Sequence, residues 1–184
     1  TNNPKNLLIS ELDITNEDNI NFFKENFKWD YLDILINNAG ILENGILSFD
    51  ELNVETIKNS FEVNTVGPMK LTKSLFPYLK KSKNPKNIYI TSKMGSLKEN
   101  TVGKYYAYRM SKVALNMFCR TLAIDFPSII SAVLHPGWVK TDMGGKNATT
   151  TVSESANGLV NKIFSMTKEN SGEFYDYKGK KLEW

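Results

Sequence analysis

Short apolar runs alternate along the chain with longer stretches whose apolar residues recur every three to four positions. "NLLISELDIT" (6–15) predicts a strand leading into a loop, and "NINFFKENF" (19–27) has helical spacing. "YLDILINNAG" (31–40) predicts a strand that ends in a polar, glycine-bearing turn. Residues 48–82 are mostly helical in pattern, with Gly67-Pro68 expected to bend or loosen the helix, because proline lacks the donor and crowds the preceding turn. "NIYITS" (87–92) predicts a strand, 106–126 a strongly apolar helix, and 129–143 a strand followed by a long loop. Thr151 and Glu154 have the spacing of a capping box that opens a helix to about residue 167. The chain closes with a strand and a turn at Lys178-Gly179.

Apolar strands alternating with helices predict an α/β fold built on a parallel sheet. In such sheets ligands bind beyond the carboxyl ends of the strands. That rule singles out Asp13, Asn37 to Gly40, Ser92, and Pro136 to Thr141.

Composition narrows the function classes. The 184 residues suffice for one domain with a single core. A net charge of +3 is too small to argue for nucleic acid or an anionic membrane surface. The one basic cluster, "LKKSKNPKN" (79–87), reads as a solvated helix end. No apolar run reaches the length of a membrane span. The single cysteine, Cys119, permits no intrachain disulfide and fits a reducing compartment, so a cytoplasmic setting is expected. A single histidine, His135, rules out a His-rich metal site, and no metal is expected.

The stretch "GKYYAYRMSKVALN" places Tyr105, Tyr106 and Tyr108 within four positions. Such clusters usually fill core. A catalytic phenol would instead need a cation one helical turn away, four residues on. Tyr105 is followed by Arg109, which never gives up its proton, and Tyr106 by Met110. Only Tyr108, followed by Lys112, meets the requirement.

Together these strand-end residues and the Tyr108/Lys112 pair resemble the short-chain dehydrogenase/reductase family. The motifs follow one another in order: "NNAG" (37–40), "NTVG" (64–67), "TSKMGS" with Ser92 in an S-x-x-G, Tyr108 and Lys112 as Y-x-x-x-K, and "HPGWVKTDM" (135–143). "ENTVGKYYAYRMSKVALN" and "GEFYDYKGKKLEW" are most similar to the branch of sniffer-type carbonyl reductases and C-signal proteins. The resemblance implies a Rossmann-type parallel sheet with helices on both faces. It also implies an oxidoreductase that interconverts a carbonyl and an alcohol with NADP or NAD, NADP being slightly favoured.

The roles follow from that resemblance. Tyr108 is expected to donate the proton and Lys112 to lower the tyrosine pKa and hold the nicotinamide ribose. Ser92 is expected to hydrogen-bond the carbonyl oxygen, and Asn64 to hold a water linking Lys112 to solvent. Cofactor contacts fall to Asp13 at the adenine, to Asn38, Ala39 and Gly40, to Lys112, to Pro136, Gly137 and Val139, and to Thr141 at the carboxamide. Each residue also has a plainer use: Asp13 as a turn carboxylate, Thr141 as a turn cap, Ser92 as a loop hydroxyl. His135 is expected to be structural. The substrate is expected to be a small apolar or aromatic carbonyl or alcohol, and the resemblance allows a homodimer. A signalling or binding member without catalysis, or an inert truncated product, are the alternatives.

One family motif is missing. The sequence has no T-G-x-x-x-G-x-G, whose backbone amides approach the pyrophosphate at a helix N-terminus. The chain enters at what resembles the family's third strand, so residues 1–184 are expected to form a single, N-terminally incomplete domain without the first βαβ portion. Residues 141–155 are expected to act as its substrate lid. The "NNAG" strand is expected to present a bare sheet edge.

Overall fold

Every residue of the strand β2 (Lys86–Ile90) is buried, as only a strand flanked on both sides and covered on both faces can be. The computed structural model describes residues 7–43 and 48–184. In it β2 pairs with β1 (Ile34–Asn37) and β3 (Ile130–His135), and β3 pairs with the short β4 (Phe174–Asp176). All pairs are parallel and the order is β1-β2-β3-β4.

The two-residue period of the strands sorts their side chains onto two faces. Ile88, Ile90, Ala132 and Leu134 pack on one face with Ile163 and Met166, from helix α5 (Val152–Ser165) and the residue that follows it. On the other face Tyr89 and Val133 meet Leu115 and Cys119 of helix α4 (Tyr106–Asp125). Leu35 meets Leu71, Leu75 and Leu79 of helix α3 (Gly67–Leu79). Helices therefore cover both faces, as the family resemblance implied. Helix α5 opens on the predicted capping box: Thr151 N–H donates to Glu154 Oε2, and Glu154 N–H donates to Thr151 Oγ1. The buried Lys86 ammonium donates to the carbonyls of Ile163 and Phe164 at the other end of α5, where a cation is favoured by the helix dipole.

Helix α1 (Glu17–Glu25) is capped by Asn16, whose side chain accepts from the N–H groups of Asp18 and Asn19. The long helical pattern is divided. Helix α2 (Val54–Phe61) passes into a π-helical turn, Glu62–Val66, before α3 begins at Gly67. Pro68 explains the division, since its ring crowds the carbonyl four residues earlier, that of Asn64.

The N-terminal expectation is corrected here. Residues 7–12 form no strand. Leu7, Leu8 and Ile9 are exposed, because strand pairing needs a neighbour and none lies beside them among the described residues. β1 accordingly carries one unpaired edge among the described residues, with Ile36 exposed on it. No described helix is long and apolar enough to cross a membrane, and no described group of three or more His, Cys, Asp or Glu could hold a metal ion.

Candidate active site

Helix α4 packs on one face of the sheet, and one residue lets the loop after β2 come close to it. A Cβ on Gly95 would stand 2.9 Å from Lys112 Cβ and 3.1 Å from the Lys112 backbone carbon, too near for any side chain. The single 3₁₀ turn Lys93–Gly95 therefore rests directly on α4. Ser92 caps that turn, its hydroxyl accepting from the Met94 N–H at 3.1 Å. Asn116 fastens the same contact, donating to the Gly95 carbonyl and accepting from the Thr91 hydroxyl.

Ser92, Tyr108 and Lys112 come together through this contact. The Ser92 hydroxyl is within hydrogen-bonding reach of Tyr108, and Lys112 Nζ lies 5.8 Å from the centre of the Tyr108 ring. Lys112 is 3% exposed and donates to the Ile90 carbonyl at 3.1 Å. Burial pulls its pKa down to about 8. The expected lowering of the Tyr108 pKa is corrected. Burial of the phenol pushes it up, and the Ser92 hydrogen bond offsets this only in part. By its exposed surface Tyr108 is half-buried.

Asn64 sits in the π-helical turn with no exposed surface. Its Oδ1 accepts from the Ile41 N–H at 2.7 Å, and its Nδ2 donates to the Ile41 carbonyl at 2.9 Å. Nδ2 also donates to Ser111 Oγ, which in turn donates to the Tyr108 carbonyl. Gly40 completes the cluster: a Cβ there would stand 3.0 Å from Asn64 Oδ1 and 3.2 Å from Lys112 Nζ.

The "NNAG" turn divides by role. Asn37 is buried in a ring of polar side chains with Thr72, Asn87 and Tyr89. Asn38 and Ala39 are exposed at the end of β1, and Gly40 faces Asn64 and Lys112. Pro136 follows β3, and its carbonyl accepts from Ser155. Gly137 sits at φ +86° against Tyr177 and Thr150, and Val139 pairs with Thr150. Thr141 and Asp13 make only local hydrogen bonds among the described residues. Thr141 accepts from the Gly144 N–H, and Asp13 accepts from Thr15 and lies below the usual carboxylate range for that reason. Residues 141–150 form an irregular loop closed at its neck by the Val139–Thr150 bridge, while 152–155 belong to the first turn of α5.

The segment leading into α4 is strained. Gly103, Lys104 and Tyr105 are all left-handed, with φ of +72°, +57° and +54°. A side chain in that region costs about 1–2 kcal/mol. Tyr105 thus starts the helix in a left-handed conformation without a side-chain cap. Tyr106 packs edge-to-face on Phe49, ring centres 5.8 Å apart.

The chain matches the family model described as "short chain dehydrogenase" over residues 1–151. It belongs to the short-chain dehydrogenase family. It is similar to "C-signal" of Myxococcus xanthus, 39% identical over 156 residues that cover 83% of this chain and 93% of that protein. It is also similar to "1-hydroxy-2-glutathionyl-2-methyl-3-butene dehydrogenase" of Rhodococcus sp., 36% identical over 76% of this chain and 65% of that protein. Among solved structures, the NADPH-bound carbonyl reductase from chicken fatty liver superposes with a TM-score of 0.91 at 32% identity, covering 97% of this chain and 78% of that one. Carbonyl reductase Sniffer of D. melanogaster gives 0.91 at 34% identity, over 95% and 77%. Family membership carries the oxidoreductase class and the Rossmann-type fold.

Sequence reasoning passed over Ser111, Asn116 and Arg109. Ser111 and Asn116 are polar residues on the buried side of an otherwise apolar helix, a legible signal. In the sequence Arg109 stands out only as the permanently protonated residue one turn after Tyr105.

Proposed function

We propose that the protein reduces a small aromatic or apolar carbonyl with a nicotinamide cofactor, and oxidises the alcohol in the reverse direction. The observation that carries this reading is the half-buried Tyr108, with the Ser92 hydroxyl in reach and Lys112 Nζ 5.8 Å from its ring. The cofactor supplies the hydride. Tyr108 donates its proton to the carbonyl oxygen, and burial favours that reading by keeping the phenol protonated at neutral pH. Ser92 donates a hydrogen bond to the same oxygen and limits the charge that develops on it.

The residues around Lys112 fit the nicotinamide-ribose end of such a cofactor. A buried ammonium with no counter-ion among the described residues faces a backbone kept bare at Gly40, so hydroxyls can approach it. Its pKa of about 8 suits the relay of a proton near neutrality. Asn64 is the residue proposed to hold the water between Lys112 and solvent. Asn38, Ala39, Pro136, Gly137, Val139, Thr141 and Asp13 are the proposed further contacts. NADPH is favoured over NADH because a carbonyl reductase of 0.91 TM-score was crystallised with it. The Phe49–Tyr106 pair at the start of α4 supports an aromatic or apolar substrate. Of the segment 141–155, the loop 141–150 is the part proposed as the lid, since 152–155 are helical. The buried Cys119 thiol is compatible with a cytoplasmic setting.

The test is consumption of NADPH and NADH by the full-length protein with aromatic and short aliphatic aldehydes and ketones. Faster turnover of the aromatic carbonyls with NADPH is expected. No turnover of any carbonyl with either cofactor would overturn the reading. A signalling or binding role is the second reading, favoured by the match to C-signal over 93% of that protein.

A further inference from the structure

Arg109 holds three backbone carbonyls at once. Its Nε donates to Gly103 at 3.1 Å and Lys104 at 3.0 Å, and its Nη1 donates to Met94 at 3.2 Å. The first two carbonyls lie in the left-handed turn that precedes Tyr108. The third lies two residues after Ser92. One guanidinium thus spans the two segments that carry the hydroxyls of the candidate site.

We infer that Arg109 is a positioning residue: it locks the strained turn Gly103–Tyr105 onto the loop after Ser92 and thereby fixes Tyr108 relative to Ser92. Among the described residues, two side chains of α4 fasten that loop to the helix. Asn116 secures it at Gly95, one helical turn beyond Lys112. Arg109 secures the end nearer Tyr108, where α4 starts without a side-chain cap. Left-handed Lys104 and Tyr105 would relax toward ordinary backbone if nothing held them, because only glycine occupies that region freely. Gly103 is tied separately, its N–H donating to Asn100 Oδ1, so the arginine is needed chiefly at Lys104 and Tyr105. A lysine cannot replace it: a single ammonium lacks the planar fork that reaches carbonyls on two segments. The inference rests on the catalytic reading for its kinetic consequence, but its structural claim stands alone.

The experiment uses the full-length protein, Arg109→Lys, and Arg109→Lys combined with Lys104→Gly. Hydrogen exchange of the peptides covering 93–96 and 100–109 is followed alongside carbonyl reduction by NADPH. Arg109→Lys is expected to speed exchange in these peptides by about tenfold and leave β2 and β3 unchanged. It is expected to lower kcat by about ten- to a hundredfold, with the NADPH dissociation constant unchanged. Adding Lys104→Gly, which takes φ +57° without strain, is expected to restore at least about fivefold of kcat. Unchanged exchange in both peptides would overturn the inference even if the wild type reduces no carbonyl, a result that by itself defeats only the catalytic reading. Altered exchange with kcat within twofold of an active wild type, or no recovery in the double variant, would also overturn it.

Discussion

Gly95 and Lys112 touch backbone to side chain, and a single methyl group would not fit between them. This contact sets how close the Ser92 loop lies to the Tyr108 helix. Gly95→Ala must push the loop off α4 or distort it, a form of overpacking that costs about 1–3 kcal/mol. Urea unfolding should register that loss. Carbonyl reduction should fall by at least about tenfold, because displaced catalytic groups lose rate steeply. Wild-type activity in a folded Gly95→Ala protein would mean that the spacing is not set here.

Lys112 adds a cost to the folded state. Its pKa drops from 10.5 in the unfolded chain to about 8 on burial. Between those values the native state binds fewer protons than the unfolded one, so stability rises with pH across that window. Below pH 8 the burial penalty is fully present. Lys112→Met is therefore expected to be more stable than wild type at pH 7, by up to roughly 3 kcal/mol before the lost Ile90 hydrogen bond is counted. The gap should close between pH 8 and 10.5. Denaturant midpoints at pH 7 and pH 10 check this, and a gap independent of pH would contradict it.

His135 acts in the same direction at lower pH. Burial lowers its pKa to about 4, with Asp176 raising it and Lys93 lowering it further, and its Nδ1 has no partner among the described residues. As pH falls from 6.5 through 4 the unfolded state takes up the proton first, and stability is lost. His135→Leu should flatten this acid limb by on the order of 3 kcal/mol, read from thermal unfolding at pH 4.5 and 7. Equal acid sensitivity in the two proteins would show that the loss arises elsewhere.

Much of the site was legible because its signals are local. Tyr108 and Lys112 are four apart on one helix, Thr151 and Glu154 cap α5 within a single turn, and Pro68 carries its own disturbance of the helix. What escaped depends on distant partners. Residues 7–12 have the composition of a strand, but a strand exists only beside another. The rise in the Tyr108 pKa comes from burial, which no spacing between two residues reports. The reach of Arg109 depends on left-handed backbone at Lys104 and Tyr105, residue types with no preference for that conformation.

Tyr108, alone of the three clustered tyrosines, is proposed to deliver the proton. The most direct measurement is NADPH-dependent carbonyl reduction by the full-length Tyr108→Phe protein, with NADPH affinity measured in parallel. A loss in kcat of at least about a hundredfold with NADPH affinity retained is expected, while Tyr105→Phe and Tyr106→Phe stay within a few-fold of wild type. Near-normal turnover by Tyr108→Phe would contradict it.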